Sequence, residues 1–337
     1  MYEAFYGFRE RPFQLTPNPS FLFLNSAHRE ALATLRYGLT SSIGITLLVG
    51  GAGTGKTTLL RAALQAERCP EHRHVVLSNP LLSPADFFEI LAEKFALPHT
   101  SGSKGRFLLA FERDLLEQHR TGGQTALVID EAQSLSHEMF EEVRLLANLE
   151  TETAKLVNVV LVGQPELSDR LNDSSLRQFK QRVVLRCTLP PLDLESTAAY
   201  IASRLRVVGA VADEVFTKEA VRAIYEASRG VPRTIGVVCE NALLAGYSTQ
   251  QKPIDRAIVV DVCGGLDVPV NGRPAREHVA VPDQDVVAPA PPAPPERRAR
   301  AHFWSSARPA EPRPESARAP GSETAVVSNV KRFFDFF

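Results

Sequence analysis

The 337 residues carry 38 lysines and arginines against 39 aspartates and glutamates, a formal net charge of −1. That balance argues against a chain built chiefly to hold nucleic acid, and the length suits one large domain or two ordinary ones. The four cysteines (Cys69, Cys187, Cys239, Cys263) are scattered, with neither zinc-ligand spacing nor a disulfide framework, and reduced thiols fit a cytoplasmic protein.

No apolar run approaches the roughly 18 to 20 residues that span a bilayer. The segment Met1-Tyr-Glu-Ala-Phe-Tyr-Gly-Phe8 lacks the basic and apolar regions of a signal peptide, so a cytoplasmic location is expected. A helical stretch over 29–39 is followed by Ile43-Gly-Ile-Thr-Leu-Leu-Val49, a short β-branched run bounded by glycine that reads as a buried parallel strand. Further strands are predicted at 74–77, 125–129 and 156–162, with helices at 84–95, 105–119 and 136–149 between them. Strands alternating with helices imply a parallel α/β sheet covered on both faces.

After Pro190-Pro191 the strand signal ends. Helices are predicted over 194–208, 217–229, 232–247 and 255–262, with Thr217 as an N-cap and Glu219 in the first turn behind it. Half of the 24 prolines fall between Pro269 and Pro320. Such a stretch buries too little apolar surface to offset its ordering entropy, so 264–324 is expected to be a disordered Pro-rich linker. Val326, Val330, Phe333, Phe334 and Phe337 then recur at helical spacing beside Lys331 and Arg332. This 325–337 tail suits a groove in a partner or a membrane interface, and His302-Phe-Trp304 is a weaker second patch. The expected organisation is an α/β domain over 1–190, a small helical lid over 191–263, the linker, and the tail motif.

The run Gly50, Gly51, Ala52, Gly53, Thr54, Gly55, Lys56, Thr57 fits G-x-x-x-x-G-K-[ST] directly after a predicted strand, with a helix from Thr58 behind it. Glycines let backbone N–H groups cradle phosphate oxygens, and the helix N-terminus points its positive end at the same anion. Lys56 is placed for the β- and γ-phosphates of ATP, and Thr57 for Mg2+. The strand Ala126-Leu-Val-Ile-Asp130 ends in two carboxylates: Asp130 is the candidate Mg2+-linked carboxylate and Glu131 the base that orients attacking water.

Gln164, at the end of the next strand, is a candidate amide beside the γ-phosphate, or simply a polar residue before a Pro turn. Arg177 and Arg182 are candidates for an arginine acting on a neighbouring subunit's nucleotide; a solvated basic face explains them equally well. Arg233, in Gly230-Val-Pro-Arg233, opens a lid helix where it could sense the nucleotide. His28 starts the 29–39 helix; a position near the adenine and ordinary surface packing fit it equally.

The order of these motifs resembles that of AAA+ ATPases, where they are named Walker A (50–57) and Walker B (Asp130-Glu131). More closely, the chain is similar to the general secretion pathway protein A ATPases. The residues carrying this include Tyr2-Glu-Ala-Phe-Tyr-Gly-Phe8, Pro12-Phe13, Phe21-Leu-Phe-Leu24, Tyr37-Gly-Leu39, Ile129-Asp-Glu-Ala-Gln133, Asn148-Leu-Glu-Thr151 and Val162-Gly-Gln-Pro-Glu-Leu167. The resemblance covers about 1–263 and implies a P-loop NTPase fold. It also implies a homo-oligomeric ATPase of a cell-envelope export pathway, at the cytoplasmic face of the inner membrane. In that family a transmembrane helix and a periplasmic peptidoglycan-binding module typically follow the ATPase domain; neither is read here after 263. Related ATPases accompany exosortase and exopolysaccharide systems, and others serve DNA transposition. The alternative is therefore a DNA-associated regulatory ATPase, for which a net-basic body or basic N-terminal arm is expected; the sequence shows neither.

Overall fold

The computed structural model of the chain describes residues 1–14, 21–66, 72–78, 81–97 and 103–269. The tail motif at 325–337, the His302-Phe-Trp304 patch and the expected linker from 270 onward lie outside them.

The apolar runs form a sheet of five parallel strands, β1 (Ile45–Gly50), β2 (His72–Leu77), β3 (Gln124–Ile129), β4 (Asn158–Gly163) and β5 (Val183–Leu189), in the order β2-β3-β4-β1-β5. Every residue of β1 and β4 is buried, as the unbroken apolar runs require of central strands covered on both faces.

Side chains alternate between two cores. Leu47, Leu127 and Leu161 face one side, under α4 (Pro84–Lys94), α5 (Lys104–Arg120), α6 (His137–Leu146), α7 (Pro165–Leu171) and α8 (Arg177–Lys180), which contribute Phe87, Phe111, Phe140, Leu167 and Phe179. Leu48, Val128 and Val160 face the other, under α2 (Ser26–Thr40) and α3 (Lys56–Ala66). Burying each such Leu or Phe contributes about 1.5–3 kcal/mol. Capping follows the sequence: Asn25, Ser83, Ser103 and Ser136 each accept a backbone N–H from the first turn of the helix they precede.

Helix α2 lies close against β1. A Cβ on Gly38 would stand 2.2 Å from Thr46 Oγ1 and 2.9 Å from its Cβ. Thr46 is fully buried in a strand paired on both sides, so it has little room to yield. Gly38→Ala is therefore expected to cost about 1–3 kcal/mol, read as a lower denaturation midpoint; an unchanged midpoint would show that α2 can move away.

A third core joins α9 (Leu194–Val207), α10 (Ala212–Val215), α11 (Lys218–Ser228), α12 (Pro232–Ser248) and α13 (Arg256–Gly265). Thr217 caps α11 as expected, accepting the Ala220 N–H at 3.1 Å. Helix α13 continues through Gly265, into the stretch expected as linker from 264.

The N-terminal segment, expected within the sheet domain, instead belongs to this helical core. Tyr2, Tyr6, Phe8 and Phe13 are buried in it together with α1 (Glu3–Tyr6). Tyr2 donates to Glu240 Oε2 at 2.7 Å, Tyr6 donates to the Leu243 carbonyl at 3.2 Å, and Arg204 donates to the Pro12 carbonyl at 2.7 Å. Four aromatic letters among the first eight residues carry no mark of a partner some 200 residues away.

Strand β5 was absent from the sequence reading. It is paired only to β1, and Val184, Arg186 and Thr188 are exposed between half-buried or buried neighbours. Its apolar run Val183-Val-Leu185 stops at Arg186, and the alternating exposure is that of a strand with one face toward solvent.

Candidate active site

Because β1, β3 and β4 run parallel, their carboxyl ends share one edge of the sheet, where open α/β sheets bind ligands. Residues 50–58 leave β1 there and enter α3. The turn requires positive φ at Gly53 (77°) and Gly55 (101°), a region that L side chains enter only at a cost. Thr54 is buried and its hydroxyl donates to the Gly51 carbonyl at 2.9 Å, pinning the turn. Since α3 opens at Lys56, the N–H groups of its first turn lack an intrahelical acceptor and stand at the positive end of the helix dipole.

Lys56 is 6% exposed, and its Nζ donates to the carbonyls of Gly50 at 2.8 Å and Gly51 at 2.9 Å. Burial pushes its pKa below the ordinary lysine value, opposed by the charges of Glu131, Asp130 and Glu166. An enclosed ammonium whose contacts are neutral carbonyls is left with charge to share, which fits an anionic polyphosphate.

Thr57 reaches from α3 to the end of β3, donating its hydroxyl to Asp130 Oδ2 at 3.0 Å. Asp130 is also 6% exposed, and its Oδ1 accepts the Glu131 N–H at 2.9 Å. A hydroxyl and a carboxylate side by side are hard oxygen ligands of the kind Mg2+ prefers, so the residues present fit that ion.

Glu131 sits in the left-handed region at φ 54°, an uncommon place for a residue with a side chain. Its Oε2 accepts from Gln133 Nε2 at 2.6 Å and from Gln164 Nε2 at 3.5 Å. Gln133 Oε1 in turn accepts the Gln164 N–H at 3.1 Å. Arg170, on α7, donates to the Gln133 carbonyl and lies 5.1 Å from the centre of the Phe140 ring.

The structure thus gathers Gly50 through Thr58, Asp130, Glu131 and Gln164 at one edge. Arg233 comes to the loop through its backbone, whose N–H donates to the Gly53 carbonyl at 3.2 Å, while its side chain is exposed. A Cβ on Gly53 would meet the Arg233 Cβ at 2.8 Å, so glycine is needed there for contact as well as for φ. Arg177 and Arg182 are exposed on and just after α8, and neither joins the hydrogen-bond network around Glu131 among the described residues.

Two members of that network, Gln133 and Arg170, were not singled out by sequence. Gln133 follows Glu131 by two positions inside the recognised motif, the one signal that could have drawn attention to it. His28 is buried rather than on the surface. Its Nδ1 lies 2.6 Å from Asn25 Oδ1, and burial pushes the imidazole pKa down against an interaction with the Thr54 backbone.

A family model described as an AAA domain matches residues 39–171, which hold every one of these residues except His28, Arg177, Arg182 and Arg233. General secretion pathway protein A of Aeromonas hydrophila is 40% identical over 250 residues, 74% of this chain and 45% of that protein. The chain therefore spans less than half the length of that curated relative. Among solved structures, the Aeropyrum pernix ORC2 protein superposes with a TM-score of 0.56 at 16% identity, covering 76% of this chain and 71% of its own. Cdc6p from Pyrobaculum aerophilum gives 0.53 at 18% identity, covering 71% and 65%. At these identities the two structures speak for the fold alone. Fold and sequence together make the chain a AAA+ P-loop protein of the general secretion pathway protein A type.

Proposed function

We propose that the chain is an oligomeric, Mg2+-dependent ATPase whose nucleotide cycle drives assembly or export at the cell envelope. The observation that carries the hydrolytic half is the 3.0 Å contact between Thr57 and Asp130, with Glu131 next in sequence, at the mouth of the glycine-rich turn. Support for the pathway is the 40% identity to general secretion pathway protein A.

In this reading Gly50 opens the turn, and the N–H groups of Gly51, Ala52, Gly53, Thr54 and Gly55 cradle the phosphates with Thr58 in the helical turn behind them. Lys56 neutralises the β- and γ-phosphates. Thr57 and Asp130 would hold Mg2+, which when bound supplies charge neutralisation to the transferring phosphoryl oxygens. Glu131 accepts a hydrogen bond from the attacking water and takes its proton, and Gln164 offers an amide to the same region. Arg177 or Arg182 reaches the nucleotide of a neighbouring subunit, and Arg233 reports nucleotide state to the helical lid.

The working division is a nucleotide-binding domain that ends at 190 and a helical lid from 191 through Gly265, to whose core the N-terminal segment belongs, with the 325–337 motif as a separate element. No helix among the described residues is long and apolar enough to cross a membrane. In this reading the 325–337 motif is the segment that meets an inner-membrane partner.

The pathway is tested by recovering Glu131→Gln with ATP from native cells, with and without residues 325–337. Envelope or polysaccharide-export proteins that disappear on tail deletion are the expected result. Recovery of DNA and a transposase would contradict it and favour a transposition ATPase.

A further inference from the structure

We propose that Gln133 is a positioning residue for Glu131, fixing which carboxylate oxygen is left to receive the water's proton. The inference rests on the hydrolytic reading above and adds a residue to it.

The Gln133 amide spans two partners of opposite polarity. Its Nε2 donates to Glu131 Oε2 at 2.6 Å, and its Oε1 accepts the Gln164 N–H at 3.1 Å. Rotating the amide by half a turn would set its oxygen against a carboxylate and its N–H against another N–H. Both contacts would become repulsive, so the two partners select one orientation. The residue is also held in place. Its backbone carbonyl accepts from the Arg170 guanidinium, and a Cβ on Gly163 would come within 2.9 Å of Gln133 Oε1. The end of β4 is bare where the side chain lies across it.

The consequence falls on Glu131. Oε2 takes the donors from Gln133 and, at 3.5 Å, Gln164. Donors gathered on one oxygen leave Oε1 as the oxygen with lone pairs to offer a water. A Glu on a tight left-handed turn has several side-chain rotamers open to it, and the Gln133 hydrogen bond selects among them. The same amide links Glu131 to the backbone of Gln164, so movement at the β4 end reaches the carboxylate through one side chain.

The test compares the full chain with Gln133→Met, close in length and without hydrogen-bonding groups, in steady-state ATP hydrolysis and in nucleotide binding. Misplacing a reacting group by about 1 Å can lower a rate on the order of a hundredfold. The expected result is a kcat about ten- to a hundredfold lower, with nucleotide affinity within about twofold and an unchanged melting temperature. In a Glu131→Gln background the same substitution should cost almost nothing further, because the group it positions is gone. Native turnover in Gln133→Met, a parallel loss of nucleotide affinity, or a full additional loss on top of Glu131→Gln would each overturn the inference. If Glu131→Gln itself turns over at the native rate, the hydrolytic reading falls and this inference with it. If Glu131→Gln is impaired and Gln133→Met is not, only the role of Gln133 falls.

Discussion

Glu131→Gln should hold ATP and fail to hydrolyse it. A positioned general base contributes on the order of 10²–10⁴ to a rate, or about 2.7–5.5 kcal/mol in the barrier. The substitution keeps the length of the side chain and an oxygen that can still accept from Gln133 Nε2, now 2.6 Å away. It leaves Lys56, Thr57 and Asp130 untouched, so the groups assigned to the phosphates and Mg2+ remain. The measurement is steady-state phosphate release beside equilibrium binding of ATP. A variant with turnover within a few fold of the native chain would remove Glu131 as the base.

The second large effect is expected at Lys56, and it falls on binding. Removing one partner of a buried, hydrogen-bonded charge pair typically costs about 2–5 kcal/mol. Lys56 is nearly enclosed, and its Nζ is fixed by the carbonyls of Gly50 and Gly51 at the base of the turn. Lys56→Ala should weaken nucleotide affinity by that amount, seen by titration calorimetry. Lys56→Arg should not restore it, because a planar guanidinium does not fit a space shaped around a single ammonium. Native affinity in Lys56→Ala would mean that the phosphates lie elsewhere.

These two predictions differ in kind because the two residues lie on different strand ends. Lys56 belongs to the turn after β1, which the proposal assigns to the anion. Glu131 belongs to the turn after β3, which β4 separates from β1 in the sheet. The Thr57–Asp130 hydrogen bond joins the two turns across that gap, about two strand spacings or roughly 10 Å.

The central strands were legible because their burial on both faces leaves an unbroken apolar signature, as in Ile45–Gly50 and Asn158–Gly163. The glycine-rich turn was legible because φ near 77° and 101° at Gly53 and Gly55 demands glycine at fixed offsets. What sequence concealed was set by distance along the chain or by exposure. Tyr2 and Tyr6 find acceptors on α12, and no local pattern records contacts made across more than two hundred residues. β5 faces solvent along one edge, and Arg186 and Thr188 interrupt its apolar letters. Gln133 is a common polar letter whose significance appears only when the β4 end is brought beside it. Arg233 reads in the sequence as a lid residue that could sense the nucleotide, and its observed link to the loop is a backbone N–H that any residue other than proline could supply.

Hydrolysis of ATP by the full chain, in excess MgCl2 and again after chelation with EDTA, is the most direct test of the central claim. Saturable phosphate release that stops when Mg2+ is removed is the predicted result, since Thr57 and Asp130, hydrogen-bonded side by side, are the residues proposed to hold that ion. Turnover that is absent with Mg2+, or that continues unchanged in EDTA, would contradict the assignment of this edge of the sheet as an ATPase site.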